Sequence, residues 1–261
     1  MKCIDVIQVL QRLSPPEYAC SWDNVGLLVG HEEQEVHKIF VALDASMEVV
    51  EQAVRQGADL LVTHHPMIFH GIKQVTDQTP LGKKILLLAE NHIAYFAMHT
   101  NFDIKGSMAE LAAQALELKN TLPLEVTCQQ EECPEGIGKI GDWKEETTVA
   151  HIVERVKKEF QLDTVMVYGD LQQSVRRVAI SPGSGKSMIT PALNQGVQVL
   201  ITGDIGHHEG MDAVEAGLCV IDATHYGLEH IFTPFLAAYL KEQGIAAEVE
   251  VCSTSSPCQF I

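Results

Sequence analysis

The stretch Gln56-Gly57-Ala58-Asp59-Leu60-Leu61-Val62-Thr63-His64-His65-Pro66 runs from a helix-ending glycine through an apolar segment to two adjacent histidines and a proline. Leu60-Leu61-Val62 lacks the polar alternation of a strand with one wet face, so it reads as a strand covered on both faces, the habit of parallel sheets. Upstream, residues 39–43 (Ile-Phe-Val-Ala-Leu) form a second such run. Between the two, Asp44-Ala45-Ser46 opens a helix whose apolar side is Val49, Val50 and Val54, and Gly57 closes it. Strand, helix, strand is a βαβ unit, which implies parallel pairing and a right-handed crossover.

Working outward, residues 3–13 predict an opening helix that stops before Ser14-Pro15-Pro16, and a loop then carries Ser21-Trp22-Asp23-Asn24-Val25-Gly26. Residues 83–90 and 107–118 predict helices, with a strand over 93–98 between them. The acidic segment 122–142, with Pro123, Pro134, Gly136, Gly138 and Gly141, reads as an irregular junction. Beyond it, strands are expected over 178–180 and 197–201, with a helix over 187–194.

The second half repeats the first. Residues 56–63 align with Gln195-Gly196-Val197-Gln198-Val199-Leu200-Ile201-Thr202 at an offset of 139 (Leu60 against Val199). Residues 93–98, followed by His99-x-x-x-Asp103, parallel residues 219–224, followed by His225-x-x-x-Glu229, at an offset of 126 (His99 against His225). The difference predicts an insertion near residues 69–80 of the first half. The expected architecture is one α/β domain over residues 1–261, built from two pseudo-repeated halves, about 1–125 and 135–261, with a metal cleft at the strand ends.

Those ends carry the chemistry, because open α/β sheets bind ligands beyond the carboxyl ends of their strands. His64 and His65 can serve one site only if the strand has ended, since adjacent strand residues point to opposite faces. His99 with Asp103, and His225 with Glu229, are four apart; at a helix start each pair shares a face and can converge on an ion. Imidazole with carboxylate suits Zn, Fe, Mn, Ni or Co. Gly183-Ser184-Gly185-Lys186-Ser187 resembles the end of a P-loop, but the spacing requires a glycine where Ile180 stands, so packing or turn geometry is its expected role. Gly136-x-Gly138-x-x-Gly141 fits the dinucleotide pattern but follows Cys133-Pro134-Glu135 rather than a strand. Asp204, His207 and His208 form another acid and histidine cluster, either supporting the ligands or solvated.

Bulk properties set limits. The 261 residues are 46% hydrophobic, enough for a sizeable core, and carry 35 acids against 18 bases, a formal net charge of −17. That surface disfavours bulk binding to nucleic acid or to anionic membranes. It does not disfavour a small phosphorylated substrate, because bound cations invert the local sign. Seven cysteines, odd in number and without a C-x-x-C pair, argue against a disulfide framework or zinc knuckle. With no signal-like start and no long apolar run, a cytoplasmic protein is expected.

Taken together, Ser21-Trp22-Asp23-Asn24-Val25-Gly26-Leu27, Thr63-His64-His65-Pro66, Gly138-x-x-Gly141, Thr202-Gly203-Asp204 and His225-x-x-x-Glu229 resemble the Ngg-interacting-factor-like proteins nearly end to end. Members of that family are often called GTP cyclohydrolase I type 2 homologs. The resemblance implies a three-layer α/β fold around a dinuclear metal cleft, in the short form without an inserted middle domain, a toroidal homohexamer and two divalent metal ions. His65 and Asp103 would hold one ion, His64 and His225 the other, and Glu229 would bridge. His99, placed beside them by the repeat, would support the ligands or relay a proton as a catalytic residue. The family pattern has glycine before the second-half ligand histidine, where this chain has Thr224. The function implied is a metal-dependent hydrolase of a small phosphorylated or nucleotide-like molecule. The alternative is a hexameric metal-binding scaffold or regulator without turnover.

Overall fold

The computed structural model describes residues 1–106, 108–128, 134–253 and 256–258. The chain forms two compact units, Met1–Gly106 with Phe232–Ser255, and Ser107–Ile231 with Ser256–Ile261. In chain order the first unit begins with α1 (Cys3–Leu13), β1 (Gly26–Val29), β2 (Lys38–Ala42), α2 (Met47–Arg55), β3 (Leu60–Thr63), α3 (Pro80–Glu90) and β4 (Ala94–Ala97). The second unit follows, as α4 (Met108–Ala115), β5 (Lys119–Cys128), β6 (Glu135–Thr148), α5 (Val149–Glu159), β7 (Met166–Tyr168), β8 (Ser174–Ser184), α6 (Ile189–Asn194), β9 (Val199–Gly203), α7 (His207–Glu215), β10 (Cys219–Asp222) and α8 (His225–Glu229). The chain then returns to the first unit as α9 (Phe232–Glu242) and β11 (Glu248–Val251).

The first unit has a five-stranded sheet in the order β1-β4-β3-β2-β11. Only the edge pair β1/β4 is antiparallel. Phe40, Ala42, Leu61 and Tyr95 pack on one face with Val49, Val50 and Ala53 of α2 and Leu88 of α3. Their neighbours Ile39, Val41, Leu60 and Val62 are equally buried on the other face, where α9 lies against β2 and β11. The unbroken apolar runs therefore mark a sheet covered twice. Ser46 caps α2 by accepting from the Val49 N–H. The helix expected over 83–90 begins at Pro80, with Thr79 as its cap; proline is at ease in a first helical turn, where no N–H is required.

The second unit has a six-stranded sheet in the order β5-β6-β8-β9-β10-β7, with β8, β9 and β10 parallel. Val178, Ile180, Val199, Ile201 and Ile221 face Ile152, Val156 and Phe160 of α5 and Leu228 of α8. Ala179, Leu200 and Val220 face Ala192 of α6 and Ala213 of α7 on the opposite side. Each unit is thus a helix–sheet–helix sandwich. Segment 122–142 is not irregular over its described part: β5 and β6 pair as antiparallel strands, with Leu124 and Ile140 packed into the second unit's core. Leu122, Leu124 and Val126 alternate with Pro123 and Glu125 as in a strand, but of the three only Leu124 is buried, and the glycines and Pro123 mask the pattern. Gly136, Gly138 and Gly141 sit inside β6, which disposes of the dinucleotide pattern.

The internal repeat is visible in topology and register. Strands β2-β3-β4 with antiparallel β1 at the edge correspond to β8-β9-β10 with antiparallel β7. The offset of 139 holds for the central strands: Ile39 pairs with Leu60 as Val178 pairs with Val199. The offset of 126 is corrected to 125 along the next strand, because Leu60 pairs with Ala94 while Val199 pairs with Cys219. Gly30 and Gly169 confirm this, since each backs onto the corresponding residue, Ala94 and Cys219. His99 is therefore one residue out of register with His225 and aligns along the ladder with Thr224. The longer first-half connection lies between Thr63 and Pro80, where it was expected.

None of the six described thiols, at Cys3, Cys20, Cys128, Cys219, Cys252 and Cys258, is in a disulfide, and Cys133 lies outside the described residues. Among the described residues, no helix is long and apolar enough to cross a membrane.

Candidate metal centre

In the first unit, three strand ends deliver the site. β3 ends at Thr63, which frees His64 and His65 from strand alternation, and their ring centroids lie 4.8 Å apart. The turn after Thr63 is pinned from beneath: Tyr95 Oη donates to the His65 carbonyl at 3.0 Å and accepts from the Met67 N–H at 2.9 Å. Burial pushes the Tyr95 phenol up to about 12, which keeps it neutral and able to donate. His99 follows β4, and the N–H groups of Phe102 and Asp103 bond to its carbonyl. Asp103 lies in a π-helical turn, Phe102–Gly106, a widened geometry common at functional sites. It stands 3.5 Å from Nε2 of His64.

One ring nitrogen of each histidine is committed. His64 Nδ1 lies 2.9 Å from the Met98 carbonyl, His65 Nδ1 2.8 Å from Asp44 Oδ1, and His99 Nδ1 2.9 Å from Asp23 Oδ1. Carbonyl and carboxylate oxygens only accept, so Nδ1 carries a proton in all three rings, and in the neutral imidazole the lone pair is then on Nε2. Asp23 is held ionised: burial works to raise its pKa, but hydrogen bonds from His99 and Thr100 outweigh it and bring it down to about 2. The ring nitrogens of His64, His65 and His99 are mutually within 4.8 Å.

The second unit presents a matching arrangement. His225 opens α8 directly after β10, and its Nδ1 lies 2.7 Å from Asp204 Oδ2, just beyond β9. Its Nε2 lies 3.0 Å from Oε2 of Glu229, one helical turn on. Thr224, where the family pattern has glycine, adopts φ +64° and caps the helix by accepting from the Gly227 N–H. The left-handed geometry that a glycine would take freely is thus held here by a threonine whose hydroxyl earns its place as a cap. Near the end of β8, Gly183 comes so close to Glu229 that a side chain there would overlap its carboxylate.

Four histidines, each with Nδ1 within hydrogen-bond distance of an oxygen acceptor, have the outer contacts that orient metal-bound imidazoles. With the carboxylates of Asp103 and Glu229 beside Nε2 atoms, the donor sets fit divalent metal ions. Asp44, expected only as part of a helix start, and Asp204, expected either to support the ligands or to be solvated, each hold Nδ1 of a candidate ligand histidine. Both follow a parallel strand within two residues, the one signal that could have flagged them. His207 and His208 are exposed on the first turn of α7, their rings 5.2 Å apart. Gly183 backs onto Glu229 and Gly185 onto Thr202 too closely for any side chain, and Lys186 pairs with Glu209, so the Gly183–Ser187 segment serves close packing.

A family model described as Duf34/NIF3 (NGG1p interacting factor 3) matches residues 1–257. The chain belongs to the Duf34/NIF3 family. Among its NIF3 relatives, a Clostridium perfringens protein named GTP cyclohydrolase 1 type 2 homolog is 33% identical over 88% of this chain and 87% of its own length. A Streptococcus pneumoniae protein of the same name is 36% identical over 93% and 91%. The crystal structure of a Bacillus cereus protein related to NIF3 superposes with a TM-score of 0.89 at 24% identity, covering 100% of this chain and 99% of that one. That likeness bears on the fold alone.

Proposed function

We propose that this NIF3-family chain binds two divalent ions through His64, His65, Asp103, His225 and Glu229, and hydrolyses a small phosphorylated or nucleotide-like molecule. The observation that carries this reading is that His64, His65 and His225 are each held by an oxygen acceptor at Nδ1, with the carboxylates of Asp103 and Glu229 beside Nε2 of His64 and His225. Bound divalent ions would supply Lewis acidity towards a phosphoryl or carbonyl oxygen and a water made acidic enough to act near neutral pH. His99 is positioned for proton transfer. Its Nε2 lone pair can take a proton, and the ionised Asp23 on Nδ1 stabilises the imidazolium that results. The relatives' name, GTP cyclohydrolase 1 type 2 homolog, supports a nucleotide-like substrate. Assembly as a homohexamer is part of the same proposal, drawn from the family resemblance and tested by solution mass.

The test is metal analysis of gently purified protein, then assay against phosphoesters, nucleotides and cyclic amidines with Mn, Zn or Fe supplied. Two ions per chain, with turnover lost on chelation and in His99→Ala, support the proposal. One ion or none, or metal-loaded protein inert towards the whole panel, overturns it and leaves a metal-binding scaffold.

A further inference from the structure

Beside His99 two large rings stand in solvent. Trp22 is 57% exposed and Phe69 is 40% exposed. They stack on one another with centroids 5.7 Å apart and planes inclined by 29°. Both reach His99 edge-on, at 6.1 and 5.9 Å. Phe69 comes from the long connection between β3 and α3 that the second unit lacks, while Trp22 comes from the loop before β1. The two loops are tied together: Asn24 Nδ2 donates to the Ile68 carbonyl at 2.6 Å, and the Met67 N–H bonds to the buried Tyr95 hydroxyl. The rings are thus fixed by bonds their own packing does not require, on segments whose neighbours Asp23 and His65 belong to the metal centre.

We propose that Trp22 and Phe69 form the wall on which a planar heteroaromatic ring of the substrate stacks, with the rest of that molecule directed towards His99. The pair is stacked on itself, so each ring covers the other's inner face and leaves its own outer face for a planar ring to stack on. A site for an organic cation requires ring faces that converge on a point charge, which this pair does not offer. Base-on-aromatic stacking needs only one exposed face and tolerates any purine or pyrimidine. A second protein copy is a poor match for the pair: the two rings offer roughly 200 Å², whereas a standard interface buries about 800 Å² per partner. For the reaction, this inference rests on the proposed hydrolase reading; for binding, it stands apart from it.

The experiment uses full-length protein carrying Trp143→Phe, which leaves Trp22 as the remaining tryptophan of the two in the chain. Guanosine is the probe and ribose 5-phosphate the ring-free control, titrated with and without metal. Guanosine should quench the Trp22 emission and ribose 5-phosphate should not. By calorimetry, Trp22→Leu and, separately, Phe69→Leu should weaken guanosine binding by roughly tenfold or more, with circular dichroism, metal content and solution mass unchanged. Absent quenching, or binding equal in both variants and parent, overturns the stacking wall even where phosphoesters are hydrolysed. A fall in solution mass in either variant overturns it too, and assigns the rings to a subunit contact. Ring-dependent binding without turnover upholds the wall and counts against the hydrolase alone.

Discussion

Replacing Gly183 by alanine tests whether the position of Glu229 matters to metal binding. An ideal Cβ at residue 183 lies 2.6 Å from Oε1 of Glu229 and 3.7 Å from Nε2 of His225. Carbon and oxygen in ordinary contact need roughly 1 Å more, so the carboxylate must turn away. Metal–ligand distances tolerate only about 0.2 Å, and the expected loss of metal affinity is therefore roughly tenfold or greater. Backbone strain adds to this, because Gly183 has φ +82°, a region that costs an L-residue about 1–2 kcal/mol. Gly196→Ala is the matched control: its φ is +66° and its Cβ would meet nothing within 4 Å. Both variants should lose about 1–2 kcal/mol when stripped of metal, a fall in melting temperature of about 2–6 °C for a chain of this size. Only Gly183→Ala should also lose metal affinity, read by calorimetry with Mn or Zn on chelator-treated protein. If the two variants bind metal equally well, the packing of Gly183 against Glu229 has no bearing on the centre and the argument fails.

Glu229→Gln should lower the occupancy of both proposed ions, and Asp103→Asn chiefly that of one, as measured by elemental analysis; equal losses in the two would remove the bridging role from Glu229. Asp23 titrates near 2 in the fold against an ordinary 3.8, so it contributes about 2 kcal/mol of stability above pH 4, which disappears as the pH falls through 2. Urea midpoints of wild type and Asp23→Asn should accordingly converge on acidification, and a constant gap would show that the carboxylate is not ionised by its contacts with His99 and Thr100. Phe160 is fully buried against Val156 and the strands of the second unit, so Phe160→Ala should cost about 3–5 kcal/mol in chemical denaturation, with metal stoichiometry unchanged.

Strand and helix order was legible because burial on both faces of a parallel sheet leaves unbroken apolar runs at 39–43, 60–62 and 199–201, and because Ser46 and Gly57 punctuate the helix between the first two. The candidate ligand residues stood out for a related reason: polar side chains placed directly after such runs must emerge at the carboxyl edge of the sheet. The hairpin of β5 and β6 was not legible, since glycines and a proline inside strands resemble a linker until pairing partners are known. Nor was the exact repeat register. Apolar residues in β4 and β10 are interchangeable to the eye, and only the ladder hydrogen bonds distinguish an offset of 125 from 126. Asp23, Asp44 and Asp204 could be read as turn residues, helix starts or solvated acids. Their role of presenting Nε2 depends on which imidazole lies within hydrogen-bond reach, a through-space relation that connects residues up to 76 positions apart. Local chemistry is written in sequence spacing, whereas the orientation of a ligand is decided by neighbours that only folding brings together.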